Sequence, residues 1–416
     1  MEEMWRWIIV GFIMFIMLTP VLGSQTYVGA TSDGLVILTT NNEADLAVAY
    51  NVAALLNAKV IVSPWGTYDP KVSAEILSAR PDRVIIIGGP VAVPEDYTAD
   101  LSGFGISYER WYGETRYGTN LQVVEHLREE FPEVLNDVRT VVVINGRDGL
   151  ALKSYTDELL IGTGAPSLLI LTGSGKVEET MKALDELGKI EKLVYLGTTK
   201  NGKPLLPLNK EWLSDFARGR FGSQLAVEEK AISPGPIELG ELIEEVSNKT
   251  SEAGKLLDGL QIPSARKRLQ DAKSFLKMAM DAYSLGDYYR AYEMIMRASW
   301  NADFVIASAY REMMTVYQGS AALMLRRKLT RFQVMVEFLK MQGYNVSDAE
   351  ALLQQALNAL NQGNYSEVLN DLLPQIKREL AMEVRMGRVK LRHAENGVPS
   401  GSNGHGSSHG GRNGRP

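Results

Sequence analysis

The sequence predicts a fold of class α/β plus all-α, with two tandem small parallel-sheet α/β units followed by a helical bundle of long αα-hairpins. Short β-branched runs alternate with amphipathic helical stretches from about residue 34 to residue 230. After Pro234 and Pro236 these runs stop, and the remainder has apolar residues at helical spacing. Alternating strands and helices are typical of crossover units in a parallel sheet, so the first half is α/β and the second is helical.

The chain begins with a segment that has the layout of a secretory signal peptide, at residues 1–24. Arg6 precedes an apolar run that ends near Leu18, and Gly23 and Ser24 offer a cleavage site. The run is short for a membrane span, which needs about 20 residues. We expect a secreted protein at the cell surface or in the cell envelope, with an uncleaved membrane anchor as the alternative.

Six runs in the first half have the length and composition of buried strands. They are LVILTT (35–40), KVIVSP (59–64), RVIIIGG (83–89), TVVVING (140–146), PSLLILTG (166–173) and KLVYLGT (192–198). Helical periods such as EADLAVAYNVAALL and NLQVVEHLREEF lie between them. Three strands with their helices therefore belong to each of two successive units.

The α/β half also repeats itself with a period of about 105 residues. RYGTNLQV (116–123) matches RFGSQLAV (220–227), with four of eight positions identical. We interpret each segment as the end of one unit. The first unit is therefore expected at 25–132 and the second, more divergent unit at 133–232.

The helical half, 236–396, contains a second repeat. DAKSFLKMAMDAYSLGDY (271–288) aligns without a gap to DAEALLQQALNALNQGNY (348–365). Each copy predicts a helix that ends at glycine and a following helix capped by an Asx residue, which is an αα-hairpin. The glycines and their Asx neighbours are Gly286, Asp287, Gly363 and Asn364.

Composition excludes several classes of function. The formal net charge is −6, whereas a general nucleic-acid binder concentrates basic charge. The chain has no cysteine, which removes disulfides, thiolate metal sites and a cysteine nucleophile. The C-terminal stretch 397–416 is rich in Gly and Ser and is expected to be disordered.

The sequence shows no catalytic constellation, so we expect no enzyme activity, metal or cofactor. Gly88 and Gly89 follow the third strand, but Pro90 lacks an N–H for phosphate and no P-loop lysine follows. The pair indicates a strand-to-loop turn. The histidines are His126, His393, His405 and His409, and this spacing fits neither a triad nor a metal site.

Polar residues just beyond the strands are candidates for ligand contact, because α/β ligand sites collect at the carboxyl ends of parallel strands. Asp45 and Asp148 follow the first strand of each unit, where an acid in the first helical turn is the alternative. Arg116 and Arg220 recur beside an aromatic residue, and a structural tie is their alternative role.

The first half resembles the cell wall-binding repeat 2 family over about 200 of the 416 residues. The resemblance rests on DLA (45–47), IIIGGPVAVPEDYTADL (85–101), ERWYGETRYGTN (109–120) and APSLLIL (165–171). It implies non-catalytic modules that hold surface proteins to an anionic wall polymer. Two departures stand out: there are two units rather than three, and LGTTKNGKPLLPL replaces the Gly-Gly segment of the second.

These observations lead to one functional hypothesis and one alternative. The hypothesis is a cell-envelope binding protein whose α/β units attach to a surface glycopolymer or surface-layer component, while the helical part contacts proteins and self-association is open. The alternative is an extracellular enzyme or small-ligand receptor that uses the strand-end loops. Nucleic acid is not an expected partner. The predicted ligand-binding residues are Asp45, Gly88, Gly89, Arg110, Gly113, Arg116, Tyr117 and Arg220.

Overall fold

The computed structural model describes residues 34–161, 166–318 and 321–395, except for the side chains of 316–318 and 387–395. The predicted signal segment and the Gly/Ser-rich tail lie outside these ranges. The described residues form two parallel-sheet α/β units followed by a helical region, as predicted.

The first unit contains four parallel strands and the helices that connect them. The strands are β1 (Leu35–Thr40), β2 (Lys59–Ser63), β3 (Arg83–Ile87) and β4 (Ser107–Trp111), and the helices are α1 (Glu43–Leu56), α2 (Pro70–Ala79), α3 (Glu95–Phe104) and α4 (Arg116–Glu130). The strand order is β2-β1-β3-β4. Successive residues of a strand face opposite sides, so Ile37 and Ile85 enter the core shared with the second unit, while Val36 and Ile86 face the first unit's other helices.

The second unit repeats this plan with one addition. Its strands are β5 (Thr140–Asn145), β6 (Ser167–Thr172), β7 (Lys192–Lys200), β8 (Lys203–Pro204) and β9 (Ala226–Ile232), and its helices are α5 (Pro132–Asp137), α6 (Gly149–Ile161), α7 (Val177–Asp185) and α8 (Lys210–Phe221). The parallel order is β6-β5-β7-β9, and β8 pairs antiparallel with the end of β7.

The helical region consists of hairpins, as its repeat predicts. Its helices are α9 (Pro236–Leu257), α10 (Pro263–Ser284), α11 (Tyr288–Gln318), α12 (Ala321–Met341), α13 (Ser347–Asn361), α14 (Tyr365–Glu367) and α15 (Leu373–Glu395), with a π-helical turn at Val368–Leu372. Gly286 and Gly363 have φ of 74° and 80°, the left-handed conformation that ends a helix. None of the described helices is long and apolar enough to cross a membrane.

The two predicted caps differ. The Asp287 Oδ1 accepts a hydrogen bond from the Arg290 N–H at 3.2 Å, which confirms the cap. Asn364 occupies the equivalent position, but its side chain caps no helix N–H. Its side chain instead lies 3.5 Å from Gln362 Oε1, so only the backbone part of the second prediction is correct.

All six predicted strands are observed, and three others, β4, β9 and the two-residue β8, were not predicted. Both β4 and β9 lie at an edge of their sheet and are partly exposed along most of their length. An edge strand does not need a continuous apolar run, since only one side of its backbone is paired and its faces stay accessible. SYERW and AVEEKAI therefore lack the continuous apolar run that identified the six predicted strands.

The matched segments RYGTNLQV and RFGSQLAV are not structural equivalents. Arg116 begins α4, after β4, whereas Arg220 lies in the last turn of α8, before β9. Gly222 ends that helix with φ of 101°, so this glycine terminates a helix, whereas Gly118 lies within one. The repeat of the two sheets is real, but this match does not mark equivalent unit ends.

The two units are joined along the free edge of β6, by two buried asparagines of the first unit. Asn51 of α1 donates to the Ser167 carbonyl at 2.6 Å and accepts from the Leu169 N–H at 2.9 Å. Asn120 of α4 donates to the Leu169 carbonyl at 3.0 Å and accepts from the Leu171 N–H at 2.8 Å. The two amides thus satisfy the backbone groups that a neighbouring strand would otherwise pair.

Replacing Asn120 by alanine should therefore destabilise the protein strongly. The change leaves a buried carbonyl and a buried N–H without partners, at a cost of about 2 to 5 kcal/mol in the free energy of unfolding. Urea unfolding of the full chain measures this. Asn358→Ala, at an exposed position of α13, is the matched control and should change the value by no more than about 0.5 kcal/mol. Equal effects of the two substitutions would contradict the role of Asn120.

Candidate functional site

The strand-end region of the first sheet brings Asp45 and Gly88 together. A β-carbon on Gly88 would lie 3.7 Å from the Asp45 Oδ2 and 3.1 Å from the Val93 side chain. Gly88 also has φ of 128°, a conformation that other residues rarely adopt. The first glycine of the pair is thus required by backbone conformation as well as by space.

Arg110 and Gly89 complete this turn. The Arg110 guanidinium donates to the carbonyls of Gly88 at 2.8 Å and Val93 at 3.0 Å, and lies 3.6 Å from a Glu95 carboxylate oxygen. Gly89 packs against the ring of Tyr112, which a β-carbon would approach to 3.1 Å. Arg110 therefore fastens the loop after β3 to the end of β4.

Gly113, Arg116 and Tyr117 are the remaining predicted residues of the first unit, and the last two hold the two units together. A β-carbon on Gly113 would lie 2.5 Å from the backbone of Gly118, so this loop can pack on α4 only with glycine. Arg116 donates to the Gly146 carbonyl, beyond β5. A β-carbon on Gly173, after β6, would strike the Tyr117 hydroxyl. Both side chains of the first unit thus dock on strand ends of the second.

Arg220 is not part of this region. Its side chain pairs with the Asp185 carboxylate at 2.9 Å and donates to the Asp185 and Leu187 carbonyls, both at 3.3 Å. These contacts connect the end of α8 to the segment after α7. The structure therefore brings seven of the eight predicted residues to the strand-end region of the first unit and leaves Arg220 apart.

Helix α11 lies across the strand ends of both units. Its Tyr292 hydroxyl donates to Asp148 Oδ1 at 2.8 Å and accepts from the Leu150 N–H at 3.0 Å. Farther along, Ala307 packs on Gly66 of the first unit, and the Tyr310 hydroxyl donates to Asp96 at 2.7 Å. The region where ligand sites of α/β folds collect is thus covered by the chain's own helix.

Asp148, one of the two strand-end acids, is fully engaged. It is buried and accepts from the Thr198 N–H at 2.7 Å, the Thr198 hydroxyl at 2.6 Å and the Ala151 N–H at 3.2 Å, in addition to Tyr292. Its role is to fix the start of α6 to β7 and to α11, in agreement with the structural alternative.

Asp45 is electrostatically different. Burial raises the pKa of Asp45 to about 6, and the Arg116 guanidinium opposes this rise only in part. Glu43 raises the pKa of Asp45 further. Glu43 and Arg116 in turn interact with Asp303, which forms a buried ion pair of the helical region with Lys249 at 3.1 Å. Sequence reasoning missed this pair because neither residue carries a motif.

A separate cluster contains possible metal ligands. Ligand atoms of Glu109, His126 and Glu130 all lie within 4.8 Å of one another. However, the Arg83 guanidinium pairs with Glu109 and lies 2.6 Å from Glu130, so both carboxylates already share a cation as partner. His126 stacks on the buried Trp111 ring with a centroid distance of 5.0 Å. The cluster is best explained as an ion-pair network that connects β3, β4 and α4.

An open groove lies on the second unit, between α7 and α8. It has a volume of about 600 Å³, and its apolar lining consists of Val177, Met181, Trp212 and Phe216. Trp212 is 73% exposed, although its ring is the largest apolar side chain of α8. Asp185, the partner of Arg220, and the ion-paired Glu178 and Lys182 provide polar groups at its edge. No sequence motif predicted this groove.

Comparisons with known proteins yield partial matches. No protein-family model matches the chain, so the resemblance to cell wall-binding repeat 2 remains a prediction. The chain is 36% identical over 188 residues to the uncharacterized protein MJ0755 of Methanocaldococcus jannaschii, which covers 45% of this chain. This chain matches about half of that relative's length, 53%.

Among solved structures, Cwp6 from Clostridium difficile is similar with a TM-score of 0.36 and 21% sequence identity. The superposition covers 48% of this chain and 30% of that chain. A likeness of this degree assigns no function.

Asp45 should make stability depend on pH. Because its folded pKa of about 6 lies above the usual aspartate value of 3.8, the folded protein binds this proton more tightly than the unfolded chain. Stability therefore falls as pH rises from about 4 to 6. Asp45→Asn should raise the free energy of unfolding by about 1 to 3 kcal/mol at pH 8, and by less than about 1 kcal/mol at pH 4.

Urea unfolding at the two pH values tests this. Asp215→Asn, which changes an exposed aspartate of α8, is the control and should give no such pH-dependent gain. A gain from Asp45→Asn that is the same at both pH values would show that the carboxyl does not titrate in this range.

Proposed function

We propose that the chain is a non-catalytic binding protein of the cell envelope. Its α/β pair attaches to a surface glycopolymer or surface-layer component, and its helical region contacts other proteins. The proposal rests on the signal-like N-terminal segment, on the resemblance of the first half to wall-binding repeats, and on the groove between α7 and α8.

The groove is the observation that carries the proposal. Trp212 offers a flat, solvent-facing apolar surface, and an aromatic face of this kind suits the apolar side of a sugar ring. Carboxylate and ammonium groups at the edge can bond to hydroxyls, so the groove combines apolar contact with a few polar groups, as ligand sites do. Within the class of surface components, this favours a glycan.

The rigid joining of the units supports a binding role. The residues of the family-like pattern hold loops and units together, and α11 covers the strand ends. A ligand as large as a polymer therefore meets the outward helices of the α/β pair. The alternative, an enzyme or small-ligand receptor at the strand ends, has Asp45 as its titratable group, but Arg110 and Arg116 are both bonded to backbone carbonyls there.

The helical region exposes apolar side chains at its hairpin turns. Leu285, between α10 and α11, is 84% exposed, and Met341, at the end of α12, is 75% exposed. Exposed apolar groups at the tips of hairpins suit contacts with another protein. They support the assignment of protein contacts to this half of the chain.

Substitution of Trp212 tests the proposed function. The full chain is sedimented with isolated envelopes of the organism that encodes it, and the bound fraction is measured. Trp212→Ala should weaken binding by about tenfold or more, because aromatic anchors contribute about 2 kcal/mol or more at binding sites. Ile237→Ala is the matched control, since Ile237 is 74% exposed but lies outside the groove, and it should bind as the wild type does.

Treatment of the envelopes identifies the component. Periodate, which cleaves sugar diols, should abolish binding if the component is a glycan, and protease should abolish it if the component is a surface-layer protein. Wild-type binding by Trp212→Ala would refute the proposed role of the groove. Binding that survives both treatments would refute a glycan or surface-layer protein as the partner.

A further inference from the structure

A second cavity lies where the first α/β unit meets the helical region. Helix α3 forms one wall, and α12 and α15 form the other, around a volume of about 400 Å³. Its apolar lining includes Phe332, Met335 and Leu373, and its charged lining consists of Asp96, Asp100, Lys328, Arg331, Lys377 and Arg378. The cavity shares no residue with the groove between α7 and α8, or with the strand-end cluster.

The two acids of this cavity are already engaged. Asp96 lies 2.6 Å from the Arg331 guanidinium and accepts from the Tyr310 hydroxyl at 2.7 Å. Asp100 accepts hydrogen bonds from the Ser73 hydroxyl at 2.9 Å and from the Tyr68 hydroxyl. Arg331 also stacks on the Tyr68 ring, 4.1 Å from its centroid. These contacts bind α3 and α12 together and use one of the four cations.

The other three cations of the cavity form no ion pair within the part of the chain that the structure describes. Among the described residues, no acid forms an ion pair with Lys328, Lys377 or Arg378. The Lys377 ammonium donates to the Ala99 carbonyl at 3.3 Å. Burial lowers the pKa of Lys377, and the positive charges of Lys328 and Arg331 lower it further against the attraction of Asp100. Like charges held this close to an apolar wall favour an anion between them.

We propose that this cavity binds an anionic amphiphile, a phosphate or carboxylate group carried on a compact apolar body. Lys328, Lys377 and Arg378 would hold the anion, while the side chains of Phe332, Met335 and Leu373 would receive the apolar part. The volume is within the range of small-ligand sites, about 300 to 1,000 Å³. Because α3 of the first unit forms the facing wall, the bound ligand would lie at the junction of the first unit with the helical region.

Calorimetric titration of the full chain with hexyl phosphate tests the proposal, with inorganic phosphate and hexanol as partial ligands. Hexyl phosphate should bind at least about tenfold more tightly than either, since it uses both the cations and the apolar wall. Lys328→Met and Lys377→Met each keep an aliphatic side chain of similar length and remove the charge. Each should weaken hexyl phosphate binding by about tenfold.

Lys273→Met, which changes an exposed lysine of α10, is the control and should leave binding unchanged. A parallel experiment measures capture of the protein by phosphatidylglycerol vesicles and by phosphatidylcholine vesicles. Capture by the anionic vesicles that Lys377→Met abolishes identifies a lipid headgroup as the source, whereas binding of hexyl phosphate without capture identifies a free ligand.

Two results would overturn the proposal. One is equal affinity for hexyl phosphate and inorganic phosphate, which means that the apolar wall takes no part. The other is hexyl phosphate binding that is equally strong in Lys328→Met, Lys377→Met and the control. Both measurements are independent of envelope sedimentation. The proposals for the groove between α7 and α8 and for this cavity are therefore tested separately.

Discussion

The pairing of the β6 edge by two asparagine side chains is the contact on which the arrangement of the chain depends. A buried sheet edge must find donors and acceptors, and Asn51 and Asn120 supply both types in the spacing of a strand backbone. Once they are in place, the helices that carry them lie against the second sheet. Arg116 and Tyr117 then reach the loops beyond β5 and β6, so the two units share one core.

The strand ends of both units are also occupied by contacts within the chain. In many α/β proteins this region is open and holds a ligand, but here α11 crosses both units and satisfies groups such as Asp148 through Tyr292. Two concave surfaces lie elsewhere in the part of the chain that the structure describes. The first is between α7 and α8 on the second unit, and the second is at the junction of α3 with α12 and α15.

The candidate site illustrates how far a motif can be interpreted. The spacing of Arg110, Gly113, Arg116 and Tyr117 marks residues that make specific contacts, and these contacts are structural ones within the chain. It does not indicate what they contact, because a guanidinium suits a backbone carbonyl as well as a ligand anion. The groove around Trp212 carries no motif, and its residues become neighbours only when α7 and α8 pack.

The sequence by itself determined the fold class, the six apolar strands and the glycine-terminated hairpins, because burial and left-handed helix ends impose strong local requirements on residue type. The edge strands β4 and β9 were not predicted, since an exposed edge strand imposes no such requirement on residue type. Only the tertiary structure decided that Asn51 and Asn120 replace a strand, that RFGSQLAV ends a helix rather than begins one, and that cations from α12 and α15 meet beside α3. Those outcomes depend on contacts between residues far apart in the chain, which no local pattern records.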